Sequence, residues 1–151
     1  MSHYSKVSTK IKNRACLVKA LVDLGFPADK IEVHDIPKSL LGYMNDVRPE
    51  KANVILRRHQ VGGSSNDIGF VLREDGTFEA IISEYDSGSG ASRKNELTAK
   101  CSGYGKKWLE LLSQRYSLHV VEETAHNENY YIQDTTTDVE GNIYVTMEVP
   151  D

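Results

Sequence analysis

The stretch DIGFVLREDGTFEAIIS at 67–83 constrains the fold of this chain more than any other. Two apolar runs flank Asp75-Gly76, a dipeptide that favours a tight turn because glycine adopts positive φ at no steric cost. Both runs are short and rich in Val, Ile and Phe, which is typical of β-strands. The stretch therefore predicts an antiparallel hairpin that the rest of the chain must cover.

Further strands are predicted on both sides of this hairpin. From Tyr4 to Lys12 the residues alternate, with Val7, Thr9 and Ile11 on one side and mainly lysines and serines on the other, which is typical of a half-buried strand. The sequence also predicts strands at 31–36 and 52–58, and a second hairpin formed by 130–137 and 142–149. Irregular or flexible segments are expected at 37–51, 59–66 and 85–105, which are rich in Pro, Gly or Ser.

Two helices complete the predicted order β-α-β-β-β-β-α-β-β. The first begins after Asn13, a suitable N-cap, and ends at Gly25. The second runs from about 106 to about 126. Its apolar positions predict a buried face of Trp108, Leu109, Leu111, Leu112, Tyr116 and Val120. The prediction is one α+β domain over 1–151, a two-layer sandwich with a mostly antiparallel sheet and both main helices packed on one face.

Composition excludes several classes of protein. With 39% hydrophobic and 26% charged residues, the 151-residue chain is globular, and its net charge of −4 argues against general nucleic-acid binding. No apolar run is long enough for a membrane helix, and the N-terminus lacks a signal-peptide pattern. Cys16 and Cys101 are too few for a disulfide framework. We therefore expect a cytoplasmic protein, or one from a similar reducing compartment such as the plastid stroma.

Three stretches together resemble a known family. They are Ser2-His3-Tyr4-Ser5 before the first strand, Asp67-Ile68-Gly69-Phe70 before the Asp75-Gly76 turn, and Gln114-Arg115-Tyr116-Ser117 on the late helix. In this order they resemble the small conserved family of unknown function typified by the hypothetical chloroplast open reading frame thirty-five, with plastid, cyanobacterial, bacterial and phage members. Genes of this family lie beside those for an AAA-type ATPase and a very small acidic or ubiquitin-like protein, so the resemblance implies an adaptor or accessory subunit.

The candidate binding residues come mainly from these motifs. His3 has the strand parity of Val7, with Tyr4 on the other side, but a histidine at a chain end is normally a solvated, frayed residue. The functional alternative is that His3 points inward, where it would anchor the N-terminus or act as an acid, base or ligand donor. Asp67 begins a strand, where it caps a turn or lines a site. Arg115 is placed beside the buried Tyr116, so it either clamps a carboxylate or phosphate or forms a structural ion pair.

A Gly/Ser-rich loop supplies the remaining candidates. Arg93 and Lys94 follow Asp86-Ser-Gly-Ser-Gly-Ala-Ser, so free backbone amides and two positive charges are together. The P-loop ending GK[ST] is absent, and a flexible linker is the favoured interpretation over a phosphate cradle. A nucleotide-binding protein that sequesters a signal, for example one encoded by a phage, is nevertheless the alternative function.

No metal, cofactor or catalytic residue is assigned from the sequence. His119, Glu122, Glu123 and His126 share one helix face, but the two histidines lie about 10 Å apart along the axis, so a solvated charged face is favoured over a metal site. The chain has no nucleophile elbow and no dinucleotide fingerprint. The leading prediction is a non-enzymatic adaptor whose exposed strands, the first one and 142–149, bind a partner or a second copy. An enzyme using His3, Asp67 and Arg115 ranks below both binding functions.

Overall fold

The predicted hairpin lies within a five-stranded antiparallel sheet in a computed structural model, which describes residues 3–88, 92–128 and 131–148. The five strands are β1 (Tyr4–Ser8), β2 (Ile31–Leu41), β3 (Val47–Leu56), β4 (Ile68–Leu72) and β5 (Phe78–Ser83). Their spatial order is β1-β5-β4-β3-β2, so β1 and β2 are the two edge strands. Gly76 has a φ of 85°, which confirms the turn that its sequence predicts.

Two long helices cover one face of this sheet. They are α1 (Arg14–Asp23) and α4 (Lys106–Asn127), and two short helices, α2 (Arg58–Val61) and α3 (Glu84–Gly88), lie between them in the chain. As predicted, Asn13 caps α1, its Oδ1 accepting a hydrogen bond from the Cys16 amide at 3.0 Å. Gly25 follows the helix with a φ of 102°, as a C-terminal glycine should.

The second hairpin forms a sheet of its own. Its strands are β6 (Tyr131–Thr137) and β7 (Ile143–Glu148), which pair antiparallel around a turn where Gly141 has a φ of 89°. Both strands contact α4, but neither pairs with the five-stranded sheet. The hairpin was predicted correctly, and the sequence carried no signal for its separation from the main sheet.

Apolar side chains pack on both faces of the main sheet. The larger cluster lies between the sheet and the helices and includes Leu17, Leu21, Phe70, Trp108 and Leu112. The smaller cluster, on the opposite face, consists of Leu40, Ala52, Ile55 and Ile81, with Tyr4 and Val71 packed against it. Helices on one face of an antiparallel sheet confirm the predicted α+β class.

The segment 37–51 is not irregular, and that prediction was wrong. β2 continues through Pro37 to Leu41, and β3 starts at Val47, before Pro49. Pro37 is tolerated because β2 is an edge strand whose pairing with β3 shifts between Val33 and Lys38. Pro49 is tolerated because β4 pairs only with Val54–Leu56, so this end of β3 has a single neighbour.

Two segments predicted as flexible loops contain buried residues instead. Within 59–66, α2 buries Val61, and Ser65 and Asn66 are buried after it. Within 85–105, of which residues 89–91 lie outside the described part, Asp86, Ser92, Thr98 and Tyr104 are all buried. Both segments therefore contain packed residues, and Asp86, Thr98 and Tyr104 hydrogen-bond within the fold through their side chains.

The first strand differs from its prediction in burial. β1 ends at Ser8, and Val7, expected to face the core, is 41% exposed. His3 is exposed, in agreement with the favoured interpretation of a solvated terminal histidine, whereas Tyr4 packs on the smaller apolar cluster. The alternation was correct, but the sheet has apolar side chains on both faces, so parity alone did not identify the buried side.

Candidate functional site

Two of the family-like motifs meet at a buried polar junction. The Tyr4 hydroxyl donates a hydrogen bond of 2.8 Å to the backbone carbonyl of Asp67. Tyr4 is placed there because β1 pairs with β5, with Tyr4 opposite Ser83. Burial, followed by the negative charge of Asp67, raises the pKa of Tyr4, so its hydroxyl stays protonated as a donor.

The carboxylate of Asp67 holds three chain segments together. It is 0% exposed and accepts three hydrogen bonds of 2.7 Å, from the Leu41 amide and Arg57 Nη1 on Oδ2 and from the Arg58 amide on Oδ1. A buried carboxylate is stable when its charge is paired and its lone pairs are filled, as they are here. Asp67 thus joins the end of β2 to the start of α2 and is a structural residue.

Arg57 extends this junction towards solvent. Its Nε and Nη2 donate to the two carboxylate oxygens of Glu32 at 2.7 and 2.9 Å, a bidentate pair. The hydrogen bonds from Arg57 hold the pKa of Glu32 below its ordinary value. Glu32, with its lowered pKa, and Arg57, whose pKa is raised by its hydrogen bonds to Glu32, are therefore both charged at neutral pH.

A second set of buried polar side chains, linked by hydrogen bonds, lies beside the junction. Asp86 Oδ2 accepts from the Asn66 amide at 3.0 Å and from the Ser83 hydroxyl at 2.7 Å, and the Asn66 side chain bonds the Tyr43 amide. The sequence did not predict that Asn66, Ser83, Asp86 and Arg57 form part of a buried polar site. The available signal was their position at strand ends, where polar side chains next to apolar runs are often used to fix loops.

Arg115 and Tyr116 lie elsewhere, where α4 crosses α1. The Tyr116 hydroxyl accepts hydrogen bonds of 2.9 Å from the amides of Lys12 and Asn13. Arg115 Nε donates to Asp23 Oδ2 at 3.0 Å, and His119 Nε2 lies 2.6 Å from the same oxygen. Of the two roles left open for Arg115, the structure shows the ion pair.

Arg93 and Lys94 are exposed and also lie away from Asp67. Lys94 crosses the ring of Phe26, with Nζ 4.9 Å from the ring centroid, and burial of this amine lowers its pKa. The neighbouring Asn95 side chain bonds the Asp23 carbonyl, so Lys94 and Arg115 both lie near the C-terminus of α1. This helix end carries negative partial charge, which disfavours a phosphate there.

The candidate residues therefore fall into separate groups. Tyr4 meets Asp67, Tyr116 and Arg115 tie α4 to α1, and His3 takes part through its backbone carbonyl, which accepts from the Glu84 amide at 2.8 Å. The side chains of Asp67 and Arg115 share no hydrogen-bond partner, so the geometry gives no support to an enzyme that combines them with His3.

A groove lies between β1 and α4. Its volume is about 880 Å³, and its apolar lining includes Val7, Ile11, Ile82 and Leu109. Small polar residues of α4, such as Ser113 and Ser117, form the opposite wall. A volume of this size is in the range of ligand clefts, and its length along β1 suits an extended chain. We call it the β1–α4 groove.

The β1–α4 groove runs along an open sheet edge. Because the His3 carbonyl bonds the Glu84 amide, the alternation of an antiparallel ladder turns the backbone groups of Ser5 and Val7 towards β5. The amides and carbonyls of Tyr4, Lys6 and Ser8 then point away from β5. Among the strands the structure describes, none pairs with this edge of β1.

Metal chemistry has no support from the described side chains. Across 3–88, 92–128 and 131–148, no group of three or more His, Cys, Asp or Glu residues is placed to hold a metal ion. His119 pairs with Asp23 and lies 3.6 Å from Glu122, so it is not the solvated residue that the sequence favoured, whereas His126 is exposed.

The fold and the junction define an α+β protein in which the family-like residues Tyr4, Asp67, Arg115 and Tyr116 hold elements together. Comparison of the sequence with family profiles adds one match, over residues 20–146, to the family described as "Protein of unknown function (DUF1257)". The chain belongs to this family, which confirms the predicted membership in a small conserved family of unknown function. His3 and Tyr4 precede the matched range.

Other comparisons add no relative. Neither a curated protein nor a solved structure matches the chain significantly. Within the described residues, no helix is both long and apolar enough to cross a membrane. Arguments about function therefore rest on the geometry of the molecule itself.

Proposed function

We propose that this protein is a non-enzymatic adaptor that binds an extended segment of a partner polypeptide along the open edge of β1, in the β1–α4 groove. The observation that carries the proposal is the coincidence of an unpaired strand edge with an apolar groove. Strand addition uses both features, because main-chain hydrogen bonds supply affinity and a groove selects alternate side chains.

The other open edges fit this role less well. β2 contains Pro37 and a register shift, features that blunt an edge against pairing with another chain. The strand β7, predicted at 142–149 as a second acceptor, spans Ile143–Glu148 within the described residues and belongs to a two-stranded hairpin separate from the main sheet. β1 has neither a proline nor a register shift, and its pairing with β5 is regular from Tyr4 to Ser8.

Charge around the β1–α4 groove indicates the chemistry of the partner segment. Two exposed lysines, Lys10 and Lys106, line it, and three more exposed lysines are close to these in sequence, namely Lys6, Lys12 and Lys107. The acids beside them are Glu110, 3.9 Å from Lys106, and Glu140. A positive rim on a chain of net charge −4 favours an acidic segment, by attraction that also speeds association.

We propose an AAA-type ATPase or a small acidic, ubiquitin-like protein as the source of this segment, in a cytoplasmic or stroma-like reducing compartment. Both cysteines are free thiols, which suits such a compartment. Sequestration of a nucleotide remains a separate prediction with weaker support, because Arg115 is paired and Lys94 lies near a negative helix end. A thermal-shift series with linear and cyclic nucleotides tests it.

The variant Lys6→Pro tests strand addition, since it removes an outward amide and no internal hydrogen bond of the sheet. The matched control Lys6→Ala removes the same charge but keeps the amide. A photo-crosslinking amino acid at Ser8 of the wild type, Lys6→Ala and Lys6→Pro captures polypeptides from host lysate, and mass spectrometry maps the linked segment.

The expected result is an acidic segment that crosslinks to the wild type and to Lys6→Ala but not to Lys6→Pro, with unchanged urea midpoints. Equal capture by all three proteins would refute strand addition at this edge. A β1-to-β1 crosslink between two copies, together with a dimer in light scattering, would instead assign the edge to self-association.

A further inference from the structure

A second pocket lies near the start of β1, where its Arg48 side chain lies over the Tyr4 ring. It has a volume of about 640 Å³ and is formed by the turn between β2 and β3, the segment before β4, and α3. Its walls carry Tyr43, Met44 and Tyr85, and its floor carries Asp46, Arg48 and Asn66. This volume is sufficient for a small organic ligand.

The walls are unusually aromatic and exposed for a surface turn. Tyr43 is 51% exposed, Tyr85 44% and Met44 79%, so apolar surface is gathered around the opening. Apolar surface concentrated at a concavity marks binding sites more often than scattered exposed residues do. Tyrosine faces are electron-rich and attract cations, while methionine adapts its shape to a ligand.

The net charge around the floor of the pocket determines whether a cationic or an anionic ligand is favoured. The one cation in its lining is Arg48, whose Cζ lies 5.3 Å from the centroid of the Tyr4 ring. Arg48 Nη1 lies 3.5 Å from Asp46 Oδ2, and Nε lies 3.9 Å from Glu50 Oε1. Asp86 adds a buried negative charge through its bond to Asn66. Three acids near the floor, Asp46, Glu50 and Asp86, therefore outnumber its single cation.

The surrounding charges do not reverse this balance. Arg57 is paired with Asp67 and Glu32. Arg58, hydrogen-bonded to the neutral Asn45 at 2.9 Å, keeps its charge, but Asp46, Glu50 and Asp86 still outnumber Arg48 and Arg58. The raised pKa of Tyr4 reflects burial first, but Asp67, Asp86 and Glu50 all contribute in the same direction, against Arg48. The local field is therefore negative.

The position of Asp46 is fixed by the turn. The Gly42 amide bonds the Asp46 carbonyl at 2.9 Å, and a Cβ on Gly42 would lie 2.5 Å from Asp46 Oδ1. A Cβ at 42 would displace this carboxylate, which is 38% exposed at the pocket. A carboxylate held beside two tyrosine rings is the combination that recognises alkylammonium groups.

We propose that this pocket binds an organic cation, a quaternary or methylated ammonium group that lies against Tyr43 and Tyr85 with Asp46 as its counter-ion. The site is separate from the β1–α4 groove, so the proposal does not depend on strand addition. The same ammonium chemistry occurs in a free choline-like molecule and in a methylated lysine side chain of a protein.

Isothermal titration calorimetry with the full chain tests the proposal with two cationic probes, each compared with a matched control. Choline is compared with its neutral isostere 3,3-dimethylbutan-1-ol, and a trimethyl-lysine peptide is compared with the unmodified peptide. The variants are Tyr85→Phe, which keeps the ring, Tyr85→Ala, which removes it, and Tyr144→Ala, which removes an equally exposed tyrosine on β7. Urea midpoints confirm that each variant is folded.

We expect choline or the methylated peptide to bind, and the neutral isostere to bind at least about tenfold more weakly. Tyr85→Ala should weaken binding about tenfold, whereas Tyr85→Phe and Tyr144→Ala should change it less than about twofold. The tighter of the two cationic probes identifies the source of the ligand. Equal binding of a cationic probe that binds and of its matched control, equal effects of Tyr85→Ala and Tyr144→Ala, or no binding of either cationic probe would overturn the proposal.

Discussion

Replacing Asp67 by Asn would test the buried junction where β2, α2 and β4 meet. An asparagine offers one carbonyl oxygen to the three donors now on the carboxylate, the Leu41 amide, Arg57 Nη1 and the Arg58 amide, each at 2.7 Å. Its NH₂ group must then face a donor. At least one charge-assisted hydrogen bond is lost, and one buried polar group is left without a partner.

The expected loss of unfolding free energy follows from these two effects. A hydrogen bond to a charged group contributes about 1.5–3 kcal/mol, and an unsatisfied buried group costs about 1–3 kcal/mol. Because Arg57 keeps its two bonds to Glu32, we expect a total of about 3 kcal/mol, the lower end for a broken buried pair. With a slope of about 2 kcal/mol/M, the urea midpoint should fall by about 1.5 M.

Urea unfolding followed by circular dichroism measures this change, with Asp35→Asn as the matched control. Asp35 also pairs with an arginine, Arg14 at 2.9 Å, but its side chain is 92% exposed. The control should therefore lose less than about 0.5 kcal/mol. If Asp67→Asn were no more destabilising than Asp35→Asn, the carboxylate would not be holding these segments together.

Gly69→Ala should lower the unfolding free energy by about 1–3 kcal/mol in the same assay, because its Cβ would lie 2.6 Å from that of Ala52 and 2.9 Å from Leu40. The buried thiol of Cys16, whose pKa is raised to about 11 by burial and then by Glu123, should react with a disulfide reagent at pH 8 only as fast as the protein opens. Rapid labelling of the native protein would contradict this. Arg57 lowers the pKa of Glu32 in the folded protein. The Glu32–Arg57 pair therefore stabilises the fold fully above pH 4.5, the ordinary pKa of Glu32, and this stabilisation is lost as the pH falls through the lower pKa of the folded state. Glu32→Gln should therefore flatten the acid limb of a stability-against-pH curve, and an unchanged limb would exclude this pair as its cause.

Local signals in the sequence predicted much of the fold. Asp75-Gly76 fixed the hairpin, and Asn13 and Gly25 fixed the ends of α1 closely, because turns and caps depend on neighbouring residues alone. Pro37 misled the prediction because a proline stops a central strand but not an edge strand, and edge position is a property of the whole sheet.

The candidate site was harder to predict because its contacts join distant residues. The Tyr4–Asp67 bond spans 63 positions, and the Asn66–Asp86 bond joins two segments whose polar composition indicated loops. The family resemblance identified Asp67, Arg115 and Tyr116, but not that Arg115 pairs with Asp23 on α1. Exposed tyrosines around the second pocket gave no periodic signal at all, since they come from a turn and a short helix.

The pairing of β1 with β5 also has a consequence during synthesis. Ser83 is made 79 residues after its partner Tyr4, so at about 5–20 residues per second the first strand waits roughly 4–16 s for β5 to appear. Throughout that interval its alternating residues are unpaired and accessible to other nascent chains. Lysines at 6, 10 and 12 would repel such pairing, and the same charges that lie at or near the β1–α4 groove in the folded protein would thus protect its first strand on the ribosome.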